Sequence, residues 1–175
     1  MIETRNIAME RVVLPTAPEP LGQYSAVSEA NGLVFLSGMI PLQAGKVIFT
    51  GQQDREKGRE AAYLAALNAL AVLKKQYGDL KRIKRVVQAA IYIAAAPDFG
   101  DHAFVADGCS EILNQVFPDK HSRLAFGVSS LPRNALPRAY RASGDEQGFG
   151  HAAGCEIGKL TGDRGNLSTL PAFFF

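Results

Sequence analysis

One arginine stands at the head of an otherwise apolar run: Arg123 precedes Leu124, Ala125, Phe126, Gly127 and Val128. A guanidinium presents a rigid fork of N–H donors that matches a carboxylate in a bidentate way. Two readings fit its position, a strand-end side chain left in water or a cation held to bind a small carboxylate. Composition does not choose between them. The other chemistry-bearing residues make weaker patterns. His102, His121 and His151 have no metal-ligand spacing and no obvious nucleophile, which makes each a surface or helix-end residue. Cys109 and Cys155 are too few and too far apart for a disulfide framework or a zinc cluster, and Cys109 reads as a buried, reduced core residue. Gly148-Phe149-Gly150-His151-Ala152-Ala153 approaches a dinucleotide-binding fingerprint, but no strand pattern precedes it and no helical period follows. Lys81, Arg82, Lys84 and Arg85 could touch phosphates, although a solvated strand start after a loop accounts for them more simply. Asn166-Leu167-Ser168 is a glycosylation acceptor only in a secreted chain.

These residues need a scaffold, and 175 residues supply one domain with a sizeable core. With 47% hydrophobic and 21% charged residues the composition is that of a globular protein. A net charge of +2 is too small to make nucleic acid or an anionic membrane the main partner. The charged start from Met1 to Glu10 lacks the apolar stretch of a signal peptide, and no apolar run approaches the roughly 20 residues that span a bilayer. A cytoplasmic protein without membrane contact is expected.

The elements follow from spacing. Prolines at 15, 18 and 20 predict an extended start. Strands are expected over Tyr24–Ser28 and Leu33–Ile40, joined by Asn31-Gly32, the pair that a tight hairpin turn favours. A short extended run over Lys46–Thr50 follows. From Asp54 to Tyr77, apolar residues at Tyr63, Leu67, Leu70, Leu73 and Tyr77 recur near the helical period, and Gly78 suits the cap that ends a helix. Arg82–Ala96 reads as a long strand broken by Pro97-Asp98. A second helix is expected over Asp101–Phe117, with Val105, Cys109, Ile112 and Val116 on one face. Ser122–Leu131 alternates, with Leu124, Phe126 and Val128 on one side and Arg123, Ala125 and Gly127 on the other. An antiparallel sheet with helices on one face is the natural packing, and oligomerisation is one way to cover the other. Beyond Leu136 neither periodicity is visible. Residues 1–136 are therefore expected to form the domain, and 137–175 an atypical tail, disordered or the product of a shifted reading frame.

Several of these segments resemble the RidA (YjgF) family. They are Leu21-Gly22-Gln23-Tyr24-Ser25-Ala26, then Asn31 to Pro41 with its Ser37-Gly38 pair, then Pro97-Asp98-Phe99, then Ser122-Arg123 to Leu131-Pro132. Each motif is soft; their order and spacing together are specific. The resemblance implies an α+β, chorismate-mutase-like fold: a sheet with two helices packed on one face, assembled as a trimeric barrel with clefts between subunits. It implies hydrolytic deamination of 2-iminoacids and enamines to 2-ketoacids, with Arg123 binding the substrate carboxylate. Tyr24 would line the same cleft, with Ser37 and Gly38 near its floor, and a glutamate on the final strand would position the attacking water. A fixed cation and a water-activating carboxylate suffice for such a substrate, so no metal and no organic cofactor is expected.

The chain departs from the family pattern in three places. Ala125 replaces a cysteine, Ala103 falls near a helix asparagine, and no family-like final strand follows Leu131-Pro132-Arg133-Asn134. The water-activating glutamate then has no counterpart at its place. That keeps a second function open, a non-catalytic trimeric module binding small carboxylate metabolites. Endoribonuclease activity has less support, because no basic stripe is evident.

Overall fold

Asp54 opens the longest helix: its carboxylate accepts a hydrogen bond from the Lys57 N–H at 2.7 Å. Helix α1 then runs Arg55–Tyr77 and stops at Gly78, whose φ of 77° is cheap for glycine and whose N–H donates to the Lys74 carbonyl at 2.8 Å. A computed structural model describes residues 12–50, 54–134 and 152–162 of the chain. The buried side of α1 is largely alanine, at positions 61, 62, 65, 66 and 69, with Leu70 and Leu73 beyond them. Small side chains let this helix lie close to its neighbours.

Helix α2, His102–Val116, buries the expected Val105, Cys109, Ile112 and Val116. It crosses α1 closely, with Gly108 against the Arg59 carbonyl. Arg59 also pairs with Glu111 at 3.0 Å across this junction.

The strands are β1 Val27–Ala30, β2 Leu33–Leu36, β3 Leu42–Gln43, β4 Lys46–Val47, β5 Ile83–Ala94, β6 Ser122–Val128 and β7 Ala152–Gly162. Five of them form one sheet in the order β1-β2-β7-β5-β6, and β3 pairs with β4 in a separate hairpin. Asn31 and Gly32 have φ of 50° and 74°, as the tight turn between β1 and β2 requires. Ala44 and Gly45, at 50° and 75°, make a similar turn between β3 and β4 that alternation did not signal.

Three expectations need correction. The sheet is mixed rather than antiparallel: β5 and β6 run parallel because α2 connects them, and a helical crossover returns the chain in the same direction. The first strand lies at Val27–Ala30, three residues later than expected, because its partner register is fixed by the turn at Asn31-Gly32. A final strand does exist. β7 sits in the middle of the sheet, antiparallel to both β2 and β5, although it follows Leu131-Pro132 only after a long connection. Its glycines at 154, 158 and 162 hide the strand signal, and pairing along both edges overrides weak propensity. The expected boundary at 136 and most of the tail lie outside the described residues.

The core lies between the sheet and the two helices. Val34, Leu36, Val86, Ile91 and Ile93 come from the sheet, Leu70 and Leu73 from α1, and Ile112, Leu113 and Phe117 from α2 and its end. Each large apolar side chain removed from water here contributes about 1.5–3 kcal/mol. The described residues leave the opposite sheet face open. Leu124 and Phe126 are 42% and 43% exposed there, and Phe126 stacks on Tyr92 with ring centroids 5.8 Å apart.

Candidate functional site

Strand β6 alternates in the sense opposite to a simple amphipathic strand. Leu124 and Phe126 point away from the helices, while Ala125 packs against the core, Gly127 lies under His102 and Arg123 reaches α2. The parallel register with β5 sets Arg123 beside Ala89. A Cβ at Gly127 would come within 2.6 Å of His102 Nε2, so the imidazole would have to shift to admit one.

The Arg123 guanidinium is held through one nitrogen. Nη1 donates to Asp107 Oδ1 at 2.5 Å and to Ser110 Oγ at 3.3 Å. Asp107 and Ser110 are an i, i+3 pair on α2 and so face the same way. Ser110 Oγ is 3.1 Å from His121 Nε2. Because a guanidinium only donates, Ser110 accepts from Arg123, and the direction of its contact with His121 Nε2 follows the imidazole tautomer. The neutral imidazole is favoured on independent grounds: burial, and then the neighbouring Arg123 cation, hold the His121 pKa below its ordinary value. The Arg123 side chain is 27% exposed and that of Asp107 is 52% exposed, so the pair lies at the surface, within reach of a solute. Nε and Nη2 of Arg123 have no hydrogen-bond partner among the described residues.

Tyr24, Ser37 and Gly38 form a second group. Tyr24 is half exposed and its hydroxyl accepts the Leu21 N–H at 3.3 Å. It lines a shallow cleft with Pro18, Leu21, Gly38 and Met39. Ser37 holds the wall of this cleft, donating its hydroxyl to the Ser25 carbonyl at 2.8 Å and its N–H to the Ala26 carbonyl at 2.9 Å. A Cβ on Gly38 would meet nothing within 4 Å, so the backbone there is open to a ligand. From below, buried Asn68 on α1 donates Nδ2 to the carbonyls of Ile40 and Leu42, both at 3.0 Å.

The described fold does not bring these two groups together. Tyr24 precedes β1 at one edge of the sheet and Arg123 lies in β6 at the other. Four interstrand steps of about 4.8 Å separate those edges, on the order of 19 Å. Asp107, Ser110 and His121 were not legible as site residues. Their only sequence signal is a polar i, i+3 pair beside the apolar stripe of α2 and a histidine two residues before the arginine. Among the described residues no three His, Cys, Asp or Glu side chains cluster as metal ligands, and no helix is long and apolar enough to cross a membrane.

A mixed sheet backed by two helices, with a cation at one edge and an open cleft at the other, defines a chorismate-mutase-like α+β protein. A family model described as "YjgF/chorismate_mutase-like, putative endoribonuclease" matches residues 3–143, and the chain belongs to this YjgF (RidA) family. A RutC family protein of Aquifex aeolicus is 32% identical over 132 residues, covering 73% of this chain and 92% of the relative. A 2-iminobutanoate/2-iminopropanoate deaminase of Dermatophagoides farinae is 31% identical over 121 residues, covering 69% and 84%. Among solved structures, a protein of unknown function from Agrobacterium tumefaciens superposes with a TM-score of 0.73 at 24% identity, covering 93% of this chain and 98% of that one.

Proposed function

We propose that this chain is a hydrolytic deaminase of 2-iminoacids and their enamines, acting in clefts between the protomers of a homotrimer. The observation that carries the reading is Arg123: a guanidinium fixed at Nη1 with its remaining N–H groups turned to no described partner, as a carboxylate-binding fork must be. The deaminase name of the mite relative supports the same chemistry. Two features support assembly. Arg123 and Tyr24 lie at opposite edges of the sheet, so they share a cleft only when one protomer's β6 edge meets another's β1 edge. Leu124 and Phe126 are large, apolar and partly exposed on the face away from the helices, as residues of a barrel interior between copies would be.

In this scheme Arg123 binds the carboxylate and Tyr24 lines the opposite wall, with Ser37 and Gly38 at the floor. Water adds to the imine carbon, the amino group takes a proton, and the carbinolamine collapses to a 2-ketoacid and ammonia. β7 carries one glutamate, Glu156, whose backbone is in register with Ala90 of β5.

Ammonia release from 2-aminoacrylate generated in solution tests the proposal, with Arg123→Ala alongside. Loss of a charged hydrogen-bond partner is expected to cost about 1.5–3 kcal/mol, roughly 10- to 150-fold in kcat/KM. Turnover unchanged in Arg123→Ala would remove Arg123 from the site. A wild-type protein that binds pyruvate without turnover would instead be a carboxylate-binding module.

A further inference from the structure

We infer that Asp107 makes the Arg123 site selective for ligands carrying a cationic nitrogen next to their carboxylate, the iminium form of a 2-iminoacid or an α-amino acid, over simple carboxylates and 2-ketoacids. The inference rests on the carboxylate-binding reading of Arg123 and adds a residue to it.

The site is not simply a cation. The Arg123 guanidinium and the Asp107 carboxylate touch through Nη1 and Oδ1 at 2.5 Å, and the His121 imidazole behind Ser110 is held neutral. The paired charges therefore sum to zero, one positive and one negative, both partly open to water. An incoming monoanion such as a 2-ketoacid gains the guanidinium but meets the Asp107 charge at the same distance scale. It must either displace Asp107 or bind against it, and either route costs affinity.

A ligand with ammonium or iminium on the carbon bearing the carboxylate has the complementary dipole. Its carboxylate takes Nε and Nη2 of Arg123, and its nitrogen donates to Asp107, whose Oδ2 has no partner among the described residues.

The consequence for the reaction is directional. The protonated imine is the form whose carbon is electrophilic enough for water, and Asp107 favours that form in the site. Once ammonia has left, the 2-ketoacid has no cation to offer Asp107 and is the more weakly held species. Substrate is thereby distinguished from product by one carboxylate.

Isothermal titration with L-alanine and with pyruvate, which share a three-carbon frame, tests this on wild type, Asp107→Asn and Arg123→Ala. Wild type is expected to bind alanine more tightly than pyruvate. In Asp107→Asn the two move in opposite directions, alanine weaker and pyruvate tighter by about tenfold each, the scale of a single charge-assisted hydrogen bond. A misfolded variant could not bind either ligand more tightly, so the opposed shift is not a folding artefact. If Arg123→Ala loses both ligands while Asp107→Asn shifts them together or not at all, Asp107 only supports the arginine; the inference falls and the carboxylate site stands. If wild type binds neither ligand, the carboxylate reading falls and takes the inference with it.

Discussion

Gly108→Ala sets two effects of opposite sign against each other. Alanine in a helix interior is favoured over glycine by about 0.8–1 kcal/mol, and on propensity alone the variant would be more stable. The structure predicts the reverse. A Cβ at position 108 would lie 2.1 Å from the Arg59 carbonyl oxygen and 3.0 Å from both its carbonyl carbon and its Cγ. The oxygen belongs to the backbone of α1 and cannot swing aside as a side-chain end could. Restoring ordinary van der Waals separation requires the two helices to part by about 1 Å, which loosens the layer where α1 and α2 pack on the sheet. Overpacking of this kind costs typically about 1–3 kcal/mol, and a backbone clash belongs at or beyond the upper end. The net expectation is a loss of about 2 kcal/mol, read from urea unfolding midpoints. Gly100→Ala, whose Cβ would meet nothing within 4 Å, is expected to change stability little and serves as the control. The perturbation also reaches the site, because Asp107 and Ser110 flank Gly108 on α2, so carboxylate affinity falls with stability. A Gly108→Ala protein as stable as wild type, or more so, would refute the close crossing of α1 and α2.

Two further predictions concern groups that hold the site's walls. Asn68→Leu keeps the branching but strips the Ile40 and Leu42 carbonyls of their donor, at about 1–3 kcal/mol for each buried group left unsatisfied, read from denaturant unfolding. Asn68→Asp is expected to be worse, and to worsen further as pH rises and the carboxylate ionises against those two carbonyls. His121 gives a pH dependence. Its folded pKa lies below the ordinary 6.5, so between those values the unfolded chain binds the extra proton. Its contribution to stability is complete above about pH 6.5 and declines as pH falls toward the folded value. His121→Gln is expected to flatten that slope between about pH 7 and 5; an unchanged slope would mean that His121 is not the titrating group.

The helices were the most legible part of the fold. Asp54 and Gly78 bracket α1 by capping chemistry written in the residue types themselves, and the Val105, Cys109, Ile112 and Val116 stripe places α2. Asn31-Gly32 likewise marks its hairpin because few other pairs accept two positive φ values. β7 was hidden for a physical reason: a central strand is specified by partners on both edges, and a glycine-rich one carries little signal of its own. Within the site, Arg123 was visible as a charge in an apolar run. Asp107, Ser110 and His121 were not, because their meeting depends on how α2 crosses the β6 edge rather than on any spacing along the chain. The face of β6 was also open until the helices were placed. Alternation separates Arg123 from Leu124 but does not say which side meets α2.

If each site draws Arg123 from one protomer and Tyr24 from another, as proposed, mixed assembly of two complementary variants restores sites that neither variant has alone. Arg123→Ala and Tyr24→Ala chains, each first shown to be impaired alone, are co-expressed and the mixed protein is assayed for ammonia release from 2-aminoacrylate. Random assembly leaves about a quarter of the clefts with both native side chains, so about a quarter of wild-type activity returns. Mixed protein that assembles yet stays as impaired as either variant alone would mean that Arg123 and Tyr24 do not meet across an interface.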